Sequence, residues 1–130
     1  MEVVCVSLPT GTVTFLLTDI EGSTRLWEHQ GPAMGGVVTR HEEIIASAVM
    51  DHAGERVKAK GEGDSTFSVF ARAADGAAAA LDAQAALRAE AWAGPSVRVR
   101  MALHSGEAEL RDGDYFGTAV NRAARLRDGR

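Results

Sequence analysis

Two aspartates stand at the ends of strand-like segments in this chain, and a glycine lies within three residues of each. Asp19 follows the apolar run of residues 12–17, which the sequence predicts to be a buried strand. Asp64 stands in a glycine-rich turn between two further predicted strands, residues 56–60 and 66–70. Carboxylate oxygens are the ligands that Mg²⁺ takes together with substrate phosphates. The pattern therefore predicts a fold in which both turns are open to a ligand.

Composition limits the classes of function that are open to this chain. Its 130 residues predict one domain, 1–130, with residues 1–10 as an N-terminal extension. A formal net charge of -4 argues against general nucleic-acid binding, which needs a basic face. Cys5 is the only cysteine, so an internal disulfide and a cysteine-based zinc site are both excluded. No apolar run is long enough to span a bilayer, and we expect a cytoplasmic protein.

The order of periodic segments predicts an α+β fold. Strand-like and helical patterns follow one another as β-α-β-β-α-β, then a short β-turn and a helix. Ser23 or Thr24 is the expected cap of the first helix, and the pair at 31–32, Gly-Pro, is expected to break it. Beyond that break, apolar positions recur at helical spacing at Met34, Val37, Val38, His41, Ile44, Ile45 and Ala48. This order suits an α/β sandwich with helices on one face of a largely antiparallel sheet.

A third segment, residues 114–125, adds polar groups suited to a nucleotide. Asn121 and Arg125 are one helical turn apart and therefore share a helix face. Together with the two acidic turns, this segment resembles the class III nucleotidyl cyclase catalytic domain, in the style of bacterial and especially actinobacterial members. The resemblance runs from about residue 11 to residue 125. It implies a ferredoxin-like βαββαβ palm, of which the C-terminal strands are expected to be missing.

The resemblance also implies roles for individual residues. Asp19, Asp64 and the carbonyl of Ile20 are expected to hold two Mg²⁺ or Mn²⁺ ions in each site. Lys60 and Asp114 correspond to the pair that reads adenine. Asn121 corresponds to the residue that positions the ribose, and Arg125 to the one that stabilises charge on the α-phosphate.

The expected function is therefore adenylate cyclase, which forms 3′,5′-cyclic AMP and pyrophosphate from ATP by a two-metal mechanism. By the same resemblance, a homodimer would share its active sites across the interface. The expected C-terminal gap would remove a phosphate-binding lysine, so a weakly active or inactive domain that binds nucleotide or mediates dimerisation stays open. Each aspartate taken alone also fits an ordinary turn-capping role. A diguanylate cyclase is disfavoured because its Gly-Gly-Asp/Glu-Glu-Phe motif is absent.

Overall fold

The computed structural model describes residues 8–57 and 64–127. The elements follow the order that the sequence predicts, with bounds that differ by a few residues. They are β1 (Gly11–Ile20), α1 (Ser23–Asp51), β2 (Glu55–Arg56), β3 (Ser65–Phe70), α2 (Ala73–Ala89), β4 (Val99–Arg111), β5 (Asp114–Phe116) and α3 (Thr118–Arg127).

The strands form one antiparallel sheet in the order β2-β3-β1-β4-β5. β1 lies at its centre and pairs along its whole length with β4. β3 covers the other edge of β1 from Thr14 to Asp19. Because both neighbours run antiparallel to β1, the end of β1 lies next to the beginnings of β3 and β4.

The expected α+β class is confirmed, but the helices occupy both faces of the sheet. Alternate residues of β1 point to opposite faces. Leu16 and Ile20 pack with α1 and α2, whereas Phe15 and Leu17 pack with α3. The expectation of helices on one face is therefore wrong for α3. The reason is that β1 is apolar on both faces, so each face needs its own cover.

Helix α1 confirms the periodicity of its predicted core face and corrects two local expectations. All seven apolar-face positions are buried. The expected break appears as a kink at Gln30 (φ -128°), with Pro32 inside the continuing helix. Gly22, not Ser23 or Thr24, precedes the first turn, in a left-handed conformation (φ 67°) and with no side-chain cap. The Ser23 hydroxyl instead donates to the Asp64 carboxylate.

β4 runs unbroken from Val99 to Arg111 and then turns tightly into β5. Asp112 and Gly113 form the turn with positive φ values of 51° and 75°, which suits the twist of a hairpin. Tyr115 on β5 is fully buried and packs edge-on against Phe15, with ring centroids 5.2 Å apart. Its phenol donates a 2.6 Å hydrogen bond to the carbonyl of Pro9. This contact ties the sheet edge to the segment before β1.

Tyr115→Phe should lower the free energy of unfolding by about 1 kcal/mol at neutral pH, because it removes the hydrogen bond from the buried phenol to the half-buried Pro9 carbonyl. Burial raises the pKa of the Tyr115 phenol to about 12. The folded state thus holds this proton more tightly than the unfolded chain, and the added stability is lost as the pH rises from about 10 to about 12. Denaturant unfolding of both proteins across this range measures the effect. Tyr115 is the only tyrosine, so tyrosinate absorbance reports it alone, and titration near pH 10 in the folded protein would contradict the prediction.

Candidate active site

The two sequence-predicted aspartates line one cleft at the end of the central strand. Asp19 is the penultimate residue of β1, and Asp64 immediately precedes β3. The cleft has a volume of about 400 Å³. Its walls are formed by the following residues: Asp19, Ile20, Gly22, Ser23, Thr24, Arg25, Asp64, Ser65 and Arg100.

Arg100 holds the Asp19 carboxylate in a two-pronged ion pair. Its Nε lies 2.8 Å from one carboxylate oxygen and its terminal nitrogen lies 2.6 Å from the other. The register explains the contact, because Asp19 and Arg100 are direct partners across β1 and β4 and therefore point to the same face. Asp19 is 18% exposed and Arg100 is 46% exposed. The guanidinium thus balances the Asp19 charge while remaining open to the cleft.

Asp64 is held from two sides. Its carboxylate accepts a hydrogen bond from the Ser23 hydroxyl, at the start of α1. Its backbone carbonyl accepts a 2.9 Å hydrogen bond from the amide of Ile20. The left-handed turn at Gly22 brings α1 back over the end of β1, which places Ser23 above this carboxylate. The end of β1, the turn before β3 and the start of α1 are therefore joined at one point.

The donor set of this cleft suits a hard divalent cation. Two carboxylates and a neighbouring main-chain segment offer oxygen atoms, and Mg²⁺ commonly binds to one or two carboxylates plus water and substrate phosphates. Within residues 8–57 and 64–127, no cluster of three acidic, histidine or cysteine side chains provides a complete metal cage. A cation bound in this cleft would need further oxygen ligands beyond these two carboxylates.

Of the predicted nucleotide-binding residues, the three that the structure describes lie outside this cleft. Asp114 opens β5, and its carboxylate accepts a 2.8 Å hydrogen bond from the Tyr115 amide. Asn121 and Arg125 are exposed on α3, whose other side buries Ala119, Val120 and Ala123. Their common helix face agrees with the spacing in the sequence. Lys60 lies outside the described residues.

This chain alone does not bring the two groups together. Asp19 lies opposite Arg100 near the start of β4, whereas Asp114 lies opposite Arg111 at its end. The eleven residue-to-residue steps from Arg100 to Arg111 span roughly 36 Å of extended strand. Of the described residues, neither Asn121 nor Arg125 is among those that line the cleft. The assigned roles of all these residues stay predictions.

Sequence reasoning overlooked Arg100 and Ser23. Arg100 belongs to an alternating Val-Arg-Val-Arg run, and this period indicates a strand but no function. Its partnership with Asp19 depends on the β1–β4 register, which a single sequence does not reveal. Ser23 was interpreted as a helix cap because serine is common there. The only available signal was its position four residues after Asp19.

Relatives in sequence are found over most of this chain. An uncharacterised protein of Mycobacterium tuberculosis is 42% identical over 120 residues, which cover 92% of this chain. The chain spans only 40% of the length of that relative. The adenylate cyclase of Lachancea kluyveri is 31% identical over 144 residues, and the match covers 8% of that much longer protein. No protein-family model matches the sequence.

Solved structures with the same fold cover nine-tenths of this chain. A Trypanosoma brucei adenylate cyclase, described in its monomeric state, superposes with a TM-score of 0.84 at 22% identity, over 92% of this chain and 69% of that one. An adenylate/guanylate cyclase/hydrolase from Silicibacter pomeroyi gives a TM-score of 0.76 at 29% identity, over 91% and 69%. A guanylyl cyclase, Cya2, gives 0.77 at 18% identity, over 92% and 70%. Among the described residues, no helix is both long enough and apolar enough to cross a membrane.

Arg100→Gln should raise the affinity for Mn²⁺ in the absence of nucleotide by roughly fivefold, because it removes about 1 kcal/mol of competition for the Asp19 carboxylate. The matched control is Arg98→Gln, which makes the same charge change at an exposed residue lining a neighbouring cleft. Titration calorimetry, or electron paramagnetic resonance of free Mn²⁺, measures both variants. Equal affinities in the two variants would show that the ion pair does not oppose cation binding.

Proposed function

Because this chain has the fold of the class III nucleotidyl cyclase catalytic domain, we propose that it is an adenylate cyclase, which forms 3′,5′-cyclic AMP and pyrophosphate from ATP. The single observation that carries the proposal is the cleft in which Asp19 and Asp64 meet beside an arginine. The adenylate cyclase names of the distant fungal relatives support the reaction class. Since the chain spans 40% of its mycobacterial relatives, the proposal concerns the chemistry of this domain.

Asp19, Asp64 and the carbonyl of Ile20 are the proposed ligands of two Mg²⁺ or Mn²⁺ ions. Bound there, the cations would lower the pKa of the ribose 3′-hydroxyl and neutralise charge on the triphosphate. The contribution of the protein is to hold both carboxylates at fixed positions. Ser23 orients Asp64, and the hydrogen bond from Ile20 to the Asp64 carbonyl fixes the turn that carries it.

Arg100 is proposed to change partners when substrate binds. In the structure its guanidinium is paired with the Asp19 carboxylate. A planar guanidinium binds phosphate oxygens as well as it binds a carboxylate. The negative triphosphate would therefore compete for Arg100 and free Asp19 for the cation that accompanies it. Nucleotide and cation would then bind more tightly together than separately.

Lys60 and Asp114 are proposed to read the base. A lysine can donate to a ring nitrogen of adenine, and a carboxylate can accept from its exocyclic amine. Guanine presents the opposite pattern of donors and acceptors at that edge. This pair therefore favours ATP, although several structural neighbours are guanylyl cyclases. GTP is the alternative substrate to test.

A homodimer is proposed to complete each site. Asp114 lies about a full β4 length from Asp19, so one chain does not juxtapose the cation ligands and the base-reading residue. In a two-fold dimer, the cleft of one chain faces the β5–α3 surface of its mate, and two equivalent sites result. Asn121 would then orient the ribose, and Arg125 would stabilise charge that develops on the α-phosphate. The guanylyl cyclase domain of Blastocladiella emersonii is described both in a non-canonical dimeric form and in a monomeric form, so the assembly of this chain has to be tested directly.

Asp19→Asn and Asp64→Asn should each reduce cyclic AMP formation from Mn²⁺ and ATP by at least about a hundredfold, because each removes a charged cation ligand. Asp112→Asn is the matched control, since it makes the same change in the exposed β4–β5 turn at a left-handed position that asparagine tolerates. Chromatographic product assays with ATP and GTP at equal concentration measure both activity and preference. Full activity in either cleft variant would remove that residue from the site, and a preference for GTP would refute the base-reading assignment.

Two inactive variants should rescue each other if the sites are shared. Asp64→Ala keeps Asn121 and Arg125, whereas Arg125→Ala keeps both aspartates. In an equal mixture half the dimers are mixed and half their sites are intact, so about a quarter of the wild-type activity should return. A mixture of Asp19→Ala with Asp64→Ala is the control, because both changes fall in the same half-site and no intact site can form. No recovery in proven heterodimers would place the whole site within one chain or assign these residues to the wrong halves.

A further inference from the structure

Three buried polar atoms between α1 and the β2–β3 edge lack a protein partner. They are Nε2 of His41, Nε of Arg56 and Oγ of Ser68, and none has a hydrogen bond within the described ranges 8–57 and 64–127. His41 and Ser68 are both fully buried, with 0% exposure. Buried polar atoms are nearly always hydrogen-bonded in folded proteins. Three such atoms in one region therefore indicate a shared partner.

The register places these atoms on the same side of the sheet. Arg56 and Ser68 are direct cross-strand partners in β2 and β3, so their side chains leave the sheet on one face. Ser68 is also opposite Leu16, which packs against α1. His41 lies on the buried face of α1, and the positive charge of Arg56 is near enough to act on its imidazole. The three side chains therefore all lie between the sheet and α1, at its β2–β3 edge.

The chemistry of the three atoms defines what can occupy that space. The Nδ1 of His41 lies 2.7 Å from the Val38 carbonyl, which only accepts, so Nδ1 carries the hydrogen and Nε2 of the neutral ring is an acceptor. Burial lowers the pKa of His41 and keeps the ring neutral. Arg56 Nε can only donate, whereas the Ser68 hydroxyl can do either. The occupant has to accept from Arg56 and donate to His41.

We propose that a single internal water molecule binds between His41, Arg56 and Ser68 and joins α1 to the β2–β3 edge. A halide is excluded because it has no hydrogen to donate to Nε2 of His41. A metal cation is excluded because Arg56 Nε has no lone pair to offer and none of the three groups is a carboxylate that would balance the added charge. Water offers two donors and two acceptor sites, and internal waters typically make about three hydrogen bonds. This site supports the strand that Asp64 precedes, and it does not depend on the proposed cyclase activity.

A crystal structure of the wild-type chain at high resolution tests the occupant directly. We expect one ordered solvent peak within about 3.2 Å of all three atoms. A second crystal soaked in bromide distinguishes water from an anion. Absence of the solvent peak, or an anomalous bromide peak at this position, would overturn the proposal.

The direction in which Ser68→Ala shifts Tm is an independent test of the water site. If water satisfies the Ser68 hydroxyl, Ser68→Ala removes a hydrogen bond and should lower Tm by roughly 4 °C. If the hydroxyl has no partner, the same change removes an unsatisfied polar group and should raise Tm. Thr66→Val is the matched control, because the Thr66 hydroxyl is buried on the same strand and is hydrogen-bonded to Thr18 at 2.6 Å. Ser68→Ala should shift Tm in the same direction as this control, and a shift in the opposite direction would refute the water site.

Discussion

The burial of β1 on both faces is the constraint on which the rest of the structure depends. Phe15 and Leu16 are adjacent in sequence and both are completely buried, although they point to opposite faces. Apolar side chains on both sides require a covering layer on each, which α1 and α2 supply on one face and α3 on the other. Strands β3 and β4 then satisfy the backbone groups of β1 along both edges. The end of β1 is fixed in place by all of these contacts, and Asp19 is fixed with it.

In the cleft at that end, each of the two carboxylates has a side-chain partner that a bound ligand could displace. Arg100 neutralises Asp19, and the Ser23 hydroxyl occupies the Asp64 carboxylate. Both partners are side chains that can turn away, whereas the backbone between Ile20 and Asp64 is fixed by a hydrogen bond. An isolated carboxylate pair would be costly to hold together because like charges repel. The arginine removes part of that cost without closing the cleft to solvent.

The length of β4 separates the two halves of the proposed chemistry. The same strand contacts Asp19 near its beginning and carries the β5 hairpin at its end. The tight turn at Asp112 and Gly113 keeps Asp114 close to Arg111, and the buried Tyr115 anchors that edge. The proposed nucleotide-reading surface thus lies far from the proposed cation ligands of its own chain. This separation is the physical reason that the proposed site needs a second copy.

The sequence by itself determined the order of the elements, the buried face of α1 and the chemical character of the two acidic turns. These features follow from local periodicity and from short motifs, so they are readable without a fold. The position of α3 on the opposite face, the continuity of β4 and the pairing of Asp19 with Arg100 were decided only by the tertiary structure. Each of these depends on strand register or on which face a segment covers, and residues 81 positions apart have no local pattern that joins them. The same holds for His41, whose helical position was predictable but whose neighbours Arg56 and Ser68 were not.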